Sequence, residues 1–125
     1  MTADTRINDV HCHFFSPQFF TALARQGGRT PPQSSADLCR QLQWDDPGTP
    51  EALADRWVSE LDSQGVARAA IIASVPGDEE SVASAVARHP ARLVGFFMID
   101  PSAPDAADRA RRAIATLGLR GICLF

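Results

Sequence analysis

Three short runs of nearly continuous apolar residues mark the second half of the chain. Residues 67–75 (A-R-A-A-I-I-A-S-V) close on the turn signal Pro76-Gly77-Asp78, and residues 92–99 (R-L-V-G-F-F-M-I) close on Asp100-Pro101. The third, residues 119–125 (L-R-G-I-C-L-F), runs to the last position. Apolar residues without polar alternation predict parallel strands covered on both faces. The segments between these runs have helical spacing. Thr49-Pro50-Glu51 supplies an N-cap, a first-turn proline and an early acid, followed by Leu53, Trp57, Val58 and Leu61, with Gly65 placed as a C-terminal glycine. Val82 and Val86 define a second helix from about residue 79 to 88, ended by His89-Pro90. Ser102 is expected to cap a third, through Ala106, Ala110, Ala113, Ile114 and Leu117 to Gly118.

An earlier strand is predicted at about residues 6–12 and is expected at the centre of the sheet's curve. A long loop, about residues 14–48, follows it, with a short helix at 17–25 and a mobile stretch at 27–35 (G-G-R-T-P-P-Q-S-S). A long loop directly after a strand is more often functional than accidental. Near-regular strand–helix alternation predicts a parallel sheet with right-handed crossovers. The chain has 125 residues, whereas a closed eight-unit barrel takes about 250. The expected fold is therefore α/β, the N-terminal half (about four βα units) of a TIM (β/α)8 barrel, and residues 1–125 form a single partial barrel domain. Ile122, Leu124 and Phe125 are then expected on an open sheet edge, which implies a homo-oligomer or a missing C-terminal half.

Composition narrows the function. Hydrophobic residues make up 45% and charged residues 22%, as in ordinary globular proteins, and 12 basic against 15 acidic residues give a net charge of -3. No cluster of Lys or Arg is large enough to neutralise a run of phosphates, so nucleic acid and anionic membrane surfaces are not expected partners. The longest mainly apolar stretch, residues 93–99, falls far short of the roughly 20 residues of a membrane span, and the N-terminus lacks the apolar core of a signal peptide. Cys12, Cys39 and Cys123 are scattered, with no C-x-x-C pair. That fits a cytoplasmic protein with reduced thiols.

The chemistry concentrates in N-D-V-H-C-H-F-F, residues 8–15. Alternation along a strand puts Asp9, His11 and His13 on one face and Asn8, Val10 and Cys12 on the other. Two histidines at i and i+2 can converge on one metal. At the carboxyl end of a parallel strand they point into the mouth of the sheet, where such folds carry their sites. Asp9 is placed to orient a ligand or reach the metal, and Cys12 to pack. An H-x-H tripeptide is weakly specific by itself, because two histidines also occur at plain exposed strand ends.

D-V-H-C-H-F-F resembles the D-x-H-x-H opening of the amidohydrolase superfamily. The blocks W-V-S-E-L-D-S-Q-G-V-A-R-A-A-I-I, A-R-H-P-A-R-L-V-G-F-F-M-I-D-P and L-G-L-R-G-I-C-L-F are similar to its "amidohydrolase 2" branch, which holds aminocarboxymuconate-semialdehyde decarboxylase, resorcylate-type decarboxylases and related metal-dependent hydrolases. The resemblance covers residues 7–125 and is weakest over 18–47. It implies a (β/α)8 barrel with a divalent metal, commonly zinc, and a small-molecule substrate, a carboxylated or cyclic metabolite. His11 and His13 match the family's first two metal ligands. The other ligands of the family, a histidine after the fifth strand and an aspartate after the eighth, and its catalytic histidine near the sixth, have no counterpart in these residues. The reaction implied is attack of water at a C–N or C–O carbon, or loss of CO2.

Lesser candidates remain. Phe14 and Phe15 are expected to wall a substrate pocket or to pack, and Arg40 to bind a substrate carboxylate or to stand as a solvated loop charge. Ser74 and Asp100 end strands and read first as turn residues, Trp44 and Trp57 as packing residues, and His89 as surface or structural. The competing reading from another class is a non-catalytic half-barrel, stable only as an oligomer or with a partner over its open edge.

Overall fold

A computed structural model of the chain describes residues 6–27 and 34–124. The elements are β1 (Ile7–Phe14), α1 (Pro17–Gln26), α2 (Ser35–Leu42), α3 (Pro50–Ser63), β2 (Val66–Ala73), α4 (Glu79–Arg88), β3 (Leu93–Met98), α5 (Ala106–Ala115) and β4 (Gly121–Cys123). Each strand pairs in parallel with the next, in the order β1-β2-β3-β4. The sheet curls into a half-barrel, half of a TIM barrel. The first strand lies at an edge rather than at the centre, because a sequential parallel run leaves its first and last members unpaired until a barrel closes.

Local signals account for most boundaries. The Thr49 hydroxyl accepts from the Ala52 N–H at 3.1 Å, with Pro50 in the first turn of α3, and Gly65 takes φ +67° just past its end, where a side chain would be strained. Ser16 caps α1 by accepting from the Phe19 N–H at 3.2 Å. Helix α5 starts three residues later than Ser102 suggests, because the Ser102 hydroxyl donates to Asp100 at 2.6 Å and shapes a turn instead. Helix α2 was not foreseen. Ser34 caps it, accepting from the Asp37 N–H at 3.0 Å. Most of the expected mobile stretch, residues 28–33, lies outside the described residues, as does Phe125.

One face of the sheet packs on α3, α4 and α5. Phe14, Ile71, Leu93, Phe97 and Val82 are essentially inaccessible there. Gly95 shares that side of β3, and a Cβ at this position would stand 2.5 Å from Leu119 Cδ2 and 2.8 Å from Val82 Cγ1. The glycine is what lets α4 and Leu119 close on the sheet. His89 ends α4 and bonds Asp55 of α3 at 2.6 Å, beside a bidentate Arg88–Asp55 pair with both bonds at 2.9 Å. First Arg88 and then His89 hold the Asp55 carboxyl well below its ordinary value. His89 therefore ties helix to helix at the amino side of the strands. The outer strands leave Ile7, Val10 and Ile122 exposed, and Leu124, just past β4, is exposed as well. Among the described residues no helix is long and apolar enough to cross a membrane.

Candidate functional site

Two imidazoles meet at the carboxyl end of β1. Alternation turns Cys12 and Phe14 into the helix-covered core and His11 and His13 to the opposite side. Their Nε2 atoms lie 3.3 Å apart, with ring planes inclined by 72°. Two nitrogens bound at about 2.1 Å to one tetrahedral zinc are separated by about 3.4 Å, so the observed spacing suits a shared cation. Among the described residues no third His, Cys, Asp or Glu joins them in a group able to hold a metal. Structural zinc sites take four protein ligands and catalytic ones usually three; these residues bring two.

Asp9 does not share the histidines' face as alternation alone predicts. The β1–β2 register shifts between Asp9, opposite Ala69, and Cys12, opposite Ile71, which puts an extra residue into β1. Asp9 accepts from the backbone N–H of His11 at 3.0 Å and sits beside the Cys12 thiol. The His11 bond, then Cys12, holds the Asp9 carboxyl below its ordinary value. Burial first, and then the carboxylate beside it, pushes the Cys12 thiol up to about 11. That thiol is a packing group, not a nucleophile. Asp9 thus steadies His11 through the main chain.

His13 is held from behind. Its Nδ1 lies 2.9 Å from Ser74 Oγ, one residue beyond β2, and its ring stacks on Phe15 at 5.7 Å. A cavity of about 570 Å3 opens beside it, lined by Phe15, Phe20, Trp44, Arg56 and Trp57 among others. Phe15 stacks on Phe19 at 4.3 Å and on Trp44 at 5.8 Å. Arg56 donates to the Asp46 and Pro47 carbonyls at 3.0 and 2.8 Å, fixing the segment that carries Trp44 across from His13. Gln43, at the end of α2, lines the same cavity with a left-handed φ of 57°.

Beneath the mouth is a buried clamp. The Asp78 carboxylate accepts from the Ser16 and Ser81 hydroxyls, both at 2.5 Å, and all three residues are buried. The clamp ties the turn after β1 to the turn after β2. Burial raises the Asp78 pKa, against the lowering effect of the two hydroxyls.

Neither Phe14 nor Arg40 lines the cavity. Phe14 is fully buried in the helix-facing core, because its parity in β1 is opposite to that of the histidines, and Phe15 takes the cavity wall. Arg40 is not in a loop over the site. It lies on α2, well exposed and paired with Asp37 at 2.9 Å, and is not among the residues that line the cavity. Trp44, read as packing, is half exposed on the cavity wall, and Trp57 both packs and lines it. Asp100 serves its turn, accepting from the Ser102 N–H at 2.9 Å. The clamp was masked in sequence, where Asp78 reads as the end of a turn. Its one local signal is the D-x-x-S spacing to Ser81.

No curated protein sequence matches the chain significantly. The amidohydrolase family does match, over residues 8–125, a span that includes the histidine pair, the cavity wall and every strand residue but Ile7. The chain belongs to the amidohydrolase family.

Proposed function

We propose that this chain carries the first metal donors and part of the substrate mouth of a metal-dependent hydrolase or decarboxylase acting on a small carboxylated or cyclic metabolite. The observation that carries this reading is the 3.3 Å approach of two imidazole nitrogens at the strand ends where parallel α/β folds place their chemistry. His11 and His13 would hold a divalent metal, zinc on the preference of imidazole donors. Such an ion supplies Lewis-acid polarisation of a substrate carbonyl or carboxylate. The chain's own side chains serve binding and orientation. Phe15, Trp44 and Trp57 give flat apolar walls for a ring. Arg56 brings a guanidinium to the same cavity, the group best suited to a carboxylate. Three free cysteines, two of them buried, suit a reducing cytoplasm.

Exposed apolar residues along both outer strands support a complement there, either further strands of the same barrel or a second copy of this chain. The remaining metal donors belong to that complement. Zinc titration of the full chain beside a His11→Ala/His13→Ala variant tests the reading. A saturable component present in the parent chain and absent in the variant is expected. Identical uptake by both, at any stoichiometry, overturns it.

A further inference from the structure

The two histidines are not equivalent, and the difference comes from β2. Ser74 Oγ lies 2.9 Å from His13 Nδ1 and also donates to the Ile72 carbonyl at 3.0 Å. A hydroxyl has one proton and two lone pairs. With the proton directed to Ile72, the oxygen can only accept from His13, which requires the proton of that ring to be on Nδ1. Nε2 of His13 is then left as a bare lone pair facing His11. The 3.3 Å Nε2···Nε2 contact is completed by a proton on the His11 Nε2. Asp9 meets His11 at its backbone N–H.

We infer that Ser74 is a positioning residue: by fixing His13 in the Nδ1–H form it presets Nε2 as a metal donor and leaves His11 as the ring that must change tautomer when a cation enters. The inference rests on the proposed metal-dependent reading for its purpose, but the tautomer itself exists without any metal. The partner of a ligand's second nitrogen sets both ring orientation and donor basicity. Here that partner is a side chain from the neighbouring strand. The Ser74 proton is in turn fixed by the β2 main chain, so the preset belongs to the sheet rather than to a mobile loop.

The test is long-range ¹H–¹⁵N correlation of the histidine side chains in the metal-free full chain, at a pH about two units above the ordinary imidazole value of about 6.5. It is run on the parent, Ser74→Ala and Ser74→Thr. His13 is expected in the Nδ1–H form in the parent and in Ser74→Thr, which keeps a hydroxyl. In Ser74→Ala it is expected to move toward the Nε2–H form that free imidazole favours. Zinc affinity should fall about 10- to 100-fold in Ser74→Ala and recover in Ser74→Thr. The same tautomer in the parent and Ser74→Ala, or an Nε2–H His13 in the parent, overturns the inference. A tautomer that shifts as described in a chain with no zinc affinity upholds the Ser74 assignment and overturns the metal reading.

Discussion

Phe97→Ala is expected to cost the chain about 3–5 kcal/mol, the range for removing a buried aromatic from a packed core. Phe97 is wholly inaccessible near the carboxyl end of β3, with Ala73 of β2 and Ile122 of β4 as its neighbours in register. Two residues back on the same face of β3, the space over Gly95 is already filled by Leu119 and Val82. Surrounding side chains therefore have little freedom to collapse into the void, which favours the upper part of that range. Small domains are stable by only about 5–15 kcal/mol, so the variant should unfold at a much lower denaturant midpoint with an unchanged slope. A loss below about 1 kcal/mol would show that the sheet and helices do not pack on this residue.

The second large effect belongs to the clamp. Asp78→Ala leaves the Ser16 and Ser81 hydroxyls buried without their acceptor. Two orphaned groups at about 1–3 kcal/mol each, less what is regained when a carboxyl is no longer held out of water, set the loss at about 2–4 kcal/mol. The pH dependence has a definite sign. Burial raises the folded pKa of Asp78 above that of the unfolded chain, so the native state binds the extra proton. The stability linked to this group is full below the ordinary carboxylate value of about 3.9 and is lost as pH rises through the higher folded value. Asp78→Asn, which cannot titrate, should lack that falling component when unfolding is followed across the acid range. An unchanged slope in Asp78→Asn would mean the carboxyl is solvated. Ser16 starts the turn directly after Phe15, so release of the clamp should also loosen the aromatic wall beside His13.

Much of this architecture was legible in the residues. Continuous apolar runs at 67–75 and 92–99 announced β2 and β3, and Thr49-Pro50-Glu51 and Gly65 bracketed α3 to within a residue. These signals are local, acting through caps, glycine φ and burial on both faces. Helix α2 was hidden because S-A-D-L-C-R-Q-L spans only eight residues, too short for a clear helical period, and follows a Gly/Pro-rich stretch that reads as loop. At the site, the i, i+2 spacing brought His11 and His13 to one face, as alternation requires. Parity misplaced Asp9, because a bulge adds a residue between it and Cys12 and nothing in D-V-H-C announces one. Parity also decides Phe14 against Phe15, and reading it through from His13 would have assigned the cavity to Phe15. The contacts of Ser74 with His13 and of Ser16 with Asp78 span 61 and 62 residues. Only the register of β1 on β2 creates them.

X-ray absorption at the zinc edge, on the full chain loaded with one equivalent of metal, addresses the histidine pair itself. The expected spectrum has nitrogen at about 2.1 Å with the multiple-scattering pattern of two imidazoles, and that pattern disappears in the His11→Ala/His13→Ala variant. A first shell of sulfur, or of oxygen alone with no imidazole scattering, would contradict the assignment of these two residues as metal donors.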